Sequence, residues 1–115
     1  GNPMREFLFV DDMAEASLFV LSIDKEIYKA NTSPMISHIN VGSGEDISIK
    51  ELAEMMKKVV NYEGEVVFDD SKPDGSARKL IDVSRLSNMG WKHSTSLTEG
   101  LKKTYDWYKN NLENA

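Results

Sequence analysis

Residues 13–28 limit what this chain can fold into more than any other stretch. Met13, Ala14, Ala16, Leu18, Phe19, Val20, Leu21, Ile23 and Ile27 spread round most of a helical cylinder, leaving a thin polar stripe of Glu15, Ser22, Glu26 and Lys29. A helix apolar over that much of its circumference needs neighbours on two sides. At 115 residues the chain is too small to supply both, so the uncovered side is expected to find another body, including a second copy of the chain.

Two further helices read differently. Over residues 48–60, Ile49, Leu52, Ala53, Met56, Val59 and Val60 make one stripe, while Lys50, Glu51, Glu54, Lys57 and Lys58 stay wet. Residues 97–112 repeat the pattern with Leu97, Leu101, Tyr105, Tyr108 and Leu112. Both are helices lying on a core. Each of the three helices begins with a capping-box pattern, a small polar or acidic residue followed three places later by glutamate: Asp12/Glu15, Ser48/Glu51 and Ser96/Glu99. The first also sets carboxylates at the positive end of a helix dipole.

Strand signals are shorter. Residues 6–10, EFLFV, suggest a strand covered on both faces; residues 37–41 (SHINV) alternate; residues 65–68 (EVVF) and 79–82 (KLID) are further candidates. Residues 31–34 and 69–76 are rich in turn formers, and a short helical turn over 84–89 should stop at Gly90. The fold class is mixed α/β, with short strands and three main helices in one domain over residues 1–115.

Composition narrows the function. A net charge of −5 and a pI near 5.0 argue against nucleic acid as a partner, because phosphate backbones call for a basic face. No run approaches the roughly 18 apolar residues of a membrane span, so no membrane partner is expected. With no cysteine there is neither a disulfide nor a thiolate metal site, and the cytoplasm is the default compartment. His38 and His93 lack ligand-like spacing, so no metal is expected.

The candidates for chemistry are five cations: Arg5, Lys72, Arg78, Lys79 and Arg85. Arg5 precedes an apolar run, where its planar fork could grip a phosphate in bidentate fashion or pair with Glu6, Asp11 or Asp12. The stretch SKPDGSARK (71–79) bends at Pro-Asp-Gly between cations. It reads either as a solvated turn or as a substrate loop in which Lys79 meets phosphates and Asp74 accepts hydroxyl hydrogens. Gly42-Ser43-Gly44 hints at a phosphate-cradling turn but lacks the third glycine and the lysine, so it reads as a plain connection. Trp91 and Trp107 are expected to pack, and Gly100 to let the last helix approach its neighbour. Tyr105/Lys109 has Tyr-x-x-x-Lys spacing but sits on the last helix with Trp107 between, which gives it no catalytic setting. Residues alone therefore support an α/β domain with one anion site, or a non-catalytic module that binds a protein or nucleotide through its apolar helix.

The order of segments adds more. GNPMREFLFVDDMAEA, HINVGSGEDISIKELA, VVFDDSKPDGSARKLIDVSRLSNMGW and SLTEGLKKTYDWY together resemble the C-terminal part of the GDP-L-fucose synthases. These are extended short-chain dehydrogenases/reductases that epimerise C3 and C5 of GDP-4-keto-6-deoxymannose and then reduce C4 with NADPH. The likeness runs from Gly1 to about Tyr108. It implies a C-terminal nucleotide-sugar-binding domain with Arg5 on the diphosphate and with Asp74 and Lys79 lining the substrate pocket. It also implies that the parent is a homodimer and that its NADP-binding Rossmann domain and catalytic residues lie outside these residues. The chain alone should then be inactive, with no catalytic or cofactor-binding residue of its own. Another nucleotide-sugar epimerase or dehydratase is the alternative parent.

Overall fold

A computed structural model describes residues 1–69 and 71–112; Asp70, in the expected 69–76 loop, lies outside them. The elements run β1 (Met4–Glu6), α1 (Val10–Ser22), α2 (Lys25–Asn31), β2 (Asp46–Ser48), α3 (Ile49–Val59), β3 (Arg78–Lys79), α4 (Ser84–Asn88) and α5 (Leu97–Leu112). The three strands form one small sheet in the order β2-β1-β3. β2 runs antiparallel to β1, with Arg5 opposite Ile47. β3 runs parallel to β1, with Met4 opposite Arg78 and Arg5 opposite Lys79.

The expected helix over 13–28 is two helices. α1 ends at Ser22, Ile23 turns extended, and the Asp24 side chain accepts the Glu26 amide to start α2. An aspartate that can cap a new helix interrupts an otherwise continuous apolar pattern. The Asp12/Glu15 box also fails. α1 starts at Val10 behind Phe9, and the Asp12 carboxylate instead accepts hydrogen bonds from the Ser94 amide and hydroxyl and the Thr95 amide. Ser48/Glu51 forms the full reciprocal box at the start of α3. Ser96/Glu99 forms half of one: Ser96 Oγ accepts the Glu99 amide at 3.3 Å, while the Glu99 carboxylate pairs with Lys103.

The strand expected at 6–10 lies earlier, at Met4–Glu6, because Val10 already belongs to α1. Residues 37–41 and 65–68 form no strand, and of 79–82 only Lys79 is in one. Gly90 ends α4 in the left-handed region at φ 108°, as its position predicts. The core joins Ala16 of α1 to Leu86 of α4 and Trp91, with Leu8, Phe19, Val20, Ile39 and Val41 packed around them. Trp107, expected to pack, is 67% exposed. α1 is covered on one side only: Ala16 is fully buried, whereas Leu18 and Leu21 are 67% and 84% exposed. α3 packs on α5. Gly100 lets α5 lie against Phe9, whose ring would be 3.3 Å from any Cβ at that position.

Candidate nucleotide-sugar site

The sheet sorts the polar residues by face. Partners across a strand pair share a face, and neighbours along a strand alternate. Arg5, Ile47 and Lys79 therefore point to one side, and Met4, Glu6, Asp46 and Arg78 to the other.

On the first side, Arg5 Nη1 donates to its neighbour's carbonyl, Met4 O, at 2.6 Å. Its Nη2 stands 3.4 Å from where a Cβ on Gly75 would lie. The guanidinium is thus directly beside the Pro-Asp-Gly bend, next in sequence to Asp74. Asp69, Lys72 and Asp74 line an adjoining cleft of about 350 Å³ between residues 1–3 and this bend, which neither Arg5 nor Lys79 lines. None of the three acids that could pair with Arg5 does so: Glu6 is turned away and Asp12 is engaged with residues 94 and 95. No carboxylate among the described residues, Asp11 included, forms an ion pair with Arg5. The 71–79 bend is exposed along its length. The structure so brings Arg5, Asp74 and Lys79 into one neighbourhood.

The remaining cations are accounted for separately. Arg78 grips Asp46 in bidentate fashion, at 2.5 Å from Nε and 3.1 Å from Nη2, and this bonding raises its pKa further. Arg85 donates to the His38 carbonyl. A larger hollow of about 530 Å³ lies between Phe7, Phe9, Met55, Leu97 and Leu101, but its walls hold Glu45, Asp46 and Glu51 and no lysine or arginine. Its charge is wrong for a diphosphate.

Gly42-Ser43-Gly44 is more than a connection. Glu6 Oε1 accepts the Gly44 amide at 2.7 Å and the Ser43 hydroxyl at 3.3 Å, and Oε2 accepts the Ile81 amide at 2.8 Å. The turn does cradle an anion, but the anion is this chain's own carboxylate. These donors being taken, the turn does not fit a dinucleotide pyrophosphate. The signal for Glu6 was a glycine turn with anion-binding character and no lysine. Tyr105/Lys109 is likewise no catalytic pair: Lys109 Nζ sits 4.7 Å from the centre of the Tyr105 ring and 3.2 Å from Asp106. Among the described residues no cluster of three His, Asp or Glu could hold a metal, and no helix is long and apolar enough to cross a membrane.

The chain's structural neighbours are epimerases and reductases of the extended short-chain dehydrogenase/reductase family, matched over about a third of their length. A GDP-L-fucose synthetase from Naegleria fowleri bound to NADP superposes with TM-score 0.82 at 26% identity, over 100% of this chain and 34% of that one. A GDP-6-OMe-4-keto-L-xylo-heptose reductase from C. jejuni superposes with TM-score 0.83 at 41% identity, over 96% of this chain and 32% of that one. The GDP-L-fucose synthase of Escherichia coli strain K12 is 58% identical over 113 residues, 98% of this chain and 35% of the relative. Over its whole length the chain is homologous to the GDP-L-fucose synthases, and it spans about a third of their length. No protein-family model matches it.

Proposed function

We propose that these 115 residues are the nucleotide-sugar-binding domain of a GDP-L-fucose synthase, in which Arg5 and Lys79 hold the diphosphate of the GDP-sugar and Asp74 accepts its hydroxyl hydrogens. The observation that carries the reading is the parallel register of Arg5 with Lys79, beside a bend whose Gly75 lies against the Arg5 guanidinium. Two cations on one face supply charge-assisted bonds to a diphosphate, and a carboxylate at its edge selects hydroxyl geometry. Binding of NADP and the epimerising and reducing chemistry belong, on this reading, to the part of the enzyme that the chain does not match. The uncovered Leu18 and Leu21 side of α1 is where a second copy of the chain docks when the chain stands alone.

A second reading keeps the GDP and changes the sugar, favoured by the 41% identity to the heptose reductase. Both readings are tested by following the chain's amide resonances during titration with GDP-mannose and with UDP-glucose. The expected result is that Arg5 and residues 72–79 shift with the GDP-sugar, that the UDP-sugar competes poorly, and that Arg5→Ala weakens binding by about tenfold, the equivalent of one charge-assisted bond. Shifts confined to the hollow between α3 and α5 would remove the assignment.

A further inference from the structure

We propose that Glu6 is a positioning residue for the Arg5–Lys79 pair: its carboxylate pins β3 beside β1 in the one register that sets both cations on the same face. This rests on the reading of that pair as a diphosphate site.

β3 has few other ties: Arg78 grips Asp46 of β2 across the sheet, and little apolar packing adds to it. It is two residues long, both exposed, and the chain on either side, from residue 71 through Ile81, is exposed as well. Leu80 and Ile81 leave 40% and 42% of their surface in water, so packing does not fix the strand. Its register to β1 rests on backbone bonds such as Met4 N–H to Ala77 O at 2.8 Å, on the Arg78–Asp46 pair, and on the Ile81 amide, which donates to Glu6 Oε2 at 2.8 Å. A slip of one residue would turn Lys79 to the opposite face.

The carboxylate is itself held from the other side. Oε1 takes the Gly44 amide at 2.7 Å and the Ser43 hydroxyl at 3.3 Å. The backbone there is built around it: a Cβ on Gly42 would stand 2.3 Å from Oε1, and Gly44 has φ 75°, a conformation that favours glycine. Glu6 lies on the face away from Arg5 and Lys79, so it does not touch a ligand they hold. It ties two distant segments, residues 42–44 and Ile81, to the end of β1, and the pair on the far face is the consequence.

The test is Glu6→Gln in the 115-residue chain. Glutamine keeps one acceptor oxygen, so it can serve Gly44 or Ile81 but not both. Exchange of the Ile81 amide with solvent should speed up, and the cross-strand Overhauser contacts between Arg5 and Lys79 should weaken. If the pair is then in register in about one molecule in five, GDP-mannose binding weakens about fivefold, because apparent affinity scales with the competent fraction. In the Arg5→Ala/Lys79→Ala double variant the same change should have no further effect on binding, which a general loss of stability would not reproduce. Unchanged Overhauser contacts with unchanged Ile81 protection overturn the proposal, as does an equal loss of affinity in both backgrounds. If the parent chain binds no GDP-mannose, the substrate reading fails and the strand readouts alone decide whether Glu6 sets the register. Glu6→Asp, which keeps the charge but is one methylene short of spanning both turns, gives the same readouts should the glutamine variant not fold.

Discussion

Asp12→Asn isolates a single buried link between the beginning and the end of the fold. Asp12 is 2% exposed. Its Oδ1 accepts the Ser94 amide at 3.3 Å and the Ser94 hydroxyl at 3.0 Å, and its Oδ2 accepts the Thr95 amide at 3.1 Å. These bonds fasten α1 to the segment that leads into α5. Asparagine keeps one acceptor and turns an NH2 group towards a donor, so one bond to a charged acceptor is lost and a backbone amide is left short. A bond of that kind contributes about 2 kcal/mol, which for a domain of this size lowers Tm by roughly 8 °C. The pH dependence follows from the same contacts. Burial raises the Asp12 pKa, but the hydrogen bonds from Ser94 and Thr95 outweigh it and leave the folded value below the ordinary one. A depressed folded pKa means that the stabilisation is complete above the unfolded value of about 3.9 and is lost as pH falls through the folded value. Urea unfolding followed by circular dichroism should therefore show a constant gap between parent and variant from about pH 5 to pH 8, closing as pH falls below about 3.9. A gap under about 0.5 kcal/mol at neutral pH, less than an ordinary net hydrogen bond, refutes the reasoning. So does a gap that persists unchanged in acid.

Two further outcomes are expected. The exposed Leu18 and Leu21 should make the chain's mass in light scattering rise with concentration, and Leu18→Glu with Leu21→Glu should restore a monomer; a parent chain that stays monomeric when concentrated removes α1 as a docking face. Mixed with NADPH and GDP-4-keto-6-deoxymannose, the chain alone should oxidise no NADPH above the blank, and measurable turnover would place catalytic groups within these residues.

What was legible in the sequence was what depends on near neighbours. The start of α3 is written in Ser48 and Glu51, three residues apart, whose amides and side chains satisfy one another. The same local signal misled at Asp12 because Ser94 and Thr95, invisible to any local pattern, compete for the carboxylate. Strands fared worst, since two or three residues make a strand only when a partner is present. SHINV alternates as a strand should, and Ile39 and Val41 do reach the core, yet no described strand lies alongside. Of the candidate site, residue types and the bend were readable from sequence. That Arg5 and Lys79 share a face was not, because the ties on β3 run between residues far apart in sequence, Glu6 to Ile81 across 75 positions and Arg78 to Asp46 across 32.

That register also reconciles a net charge of −5 with the proposed anion site. Net charge acts at long range, where salt screens it beyond about 8 Å; a bound diphosphate feels what lies within a few ångströms. The carboxylates within the sheet are already committed. Asp46 is engaged by Arg78, and Glu6 by two backbone amides and a hydroxyl, all on the face opposite Arg5. Within the sheet the pleat thus separates the signs: Glu6 and Asp46 with their donors on one side, Arg5 and Lys79 on the other, with Asp74 of the neighbouring bend the acid that the proposed site itself uses. Had the glutamate stood two positions from Arg5 rather than one, it would share a face with Arg5 and cancel the field that the pair offers. The single-residue spacing of arginine and glutamate in MREF is on this argument what leaves an acidic domain with a cationic face for the proposed diphosphate site.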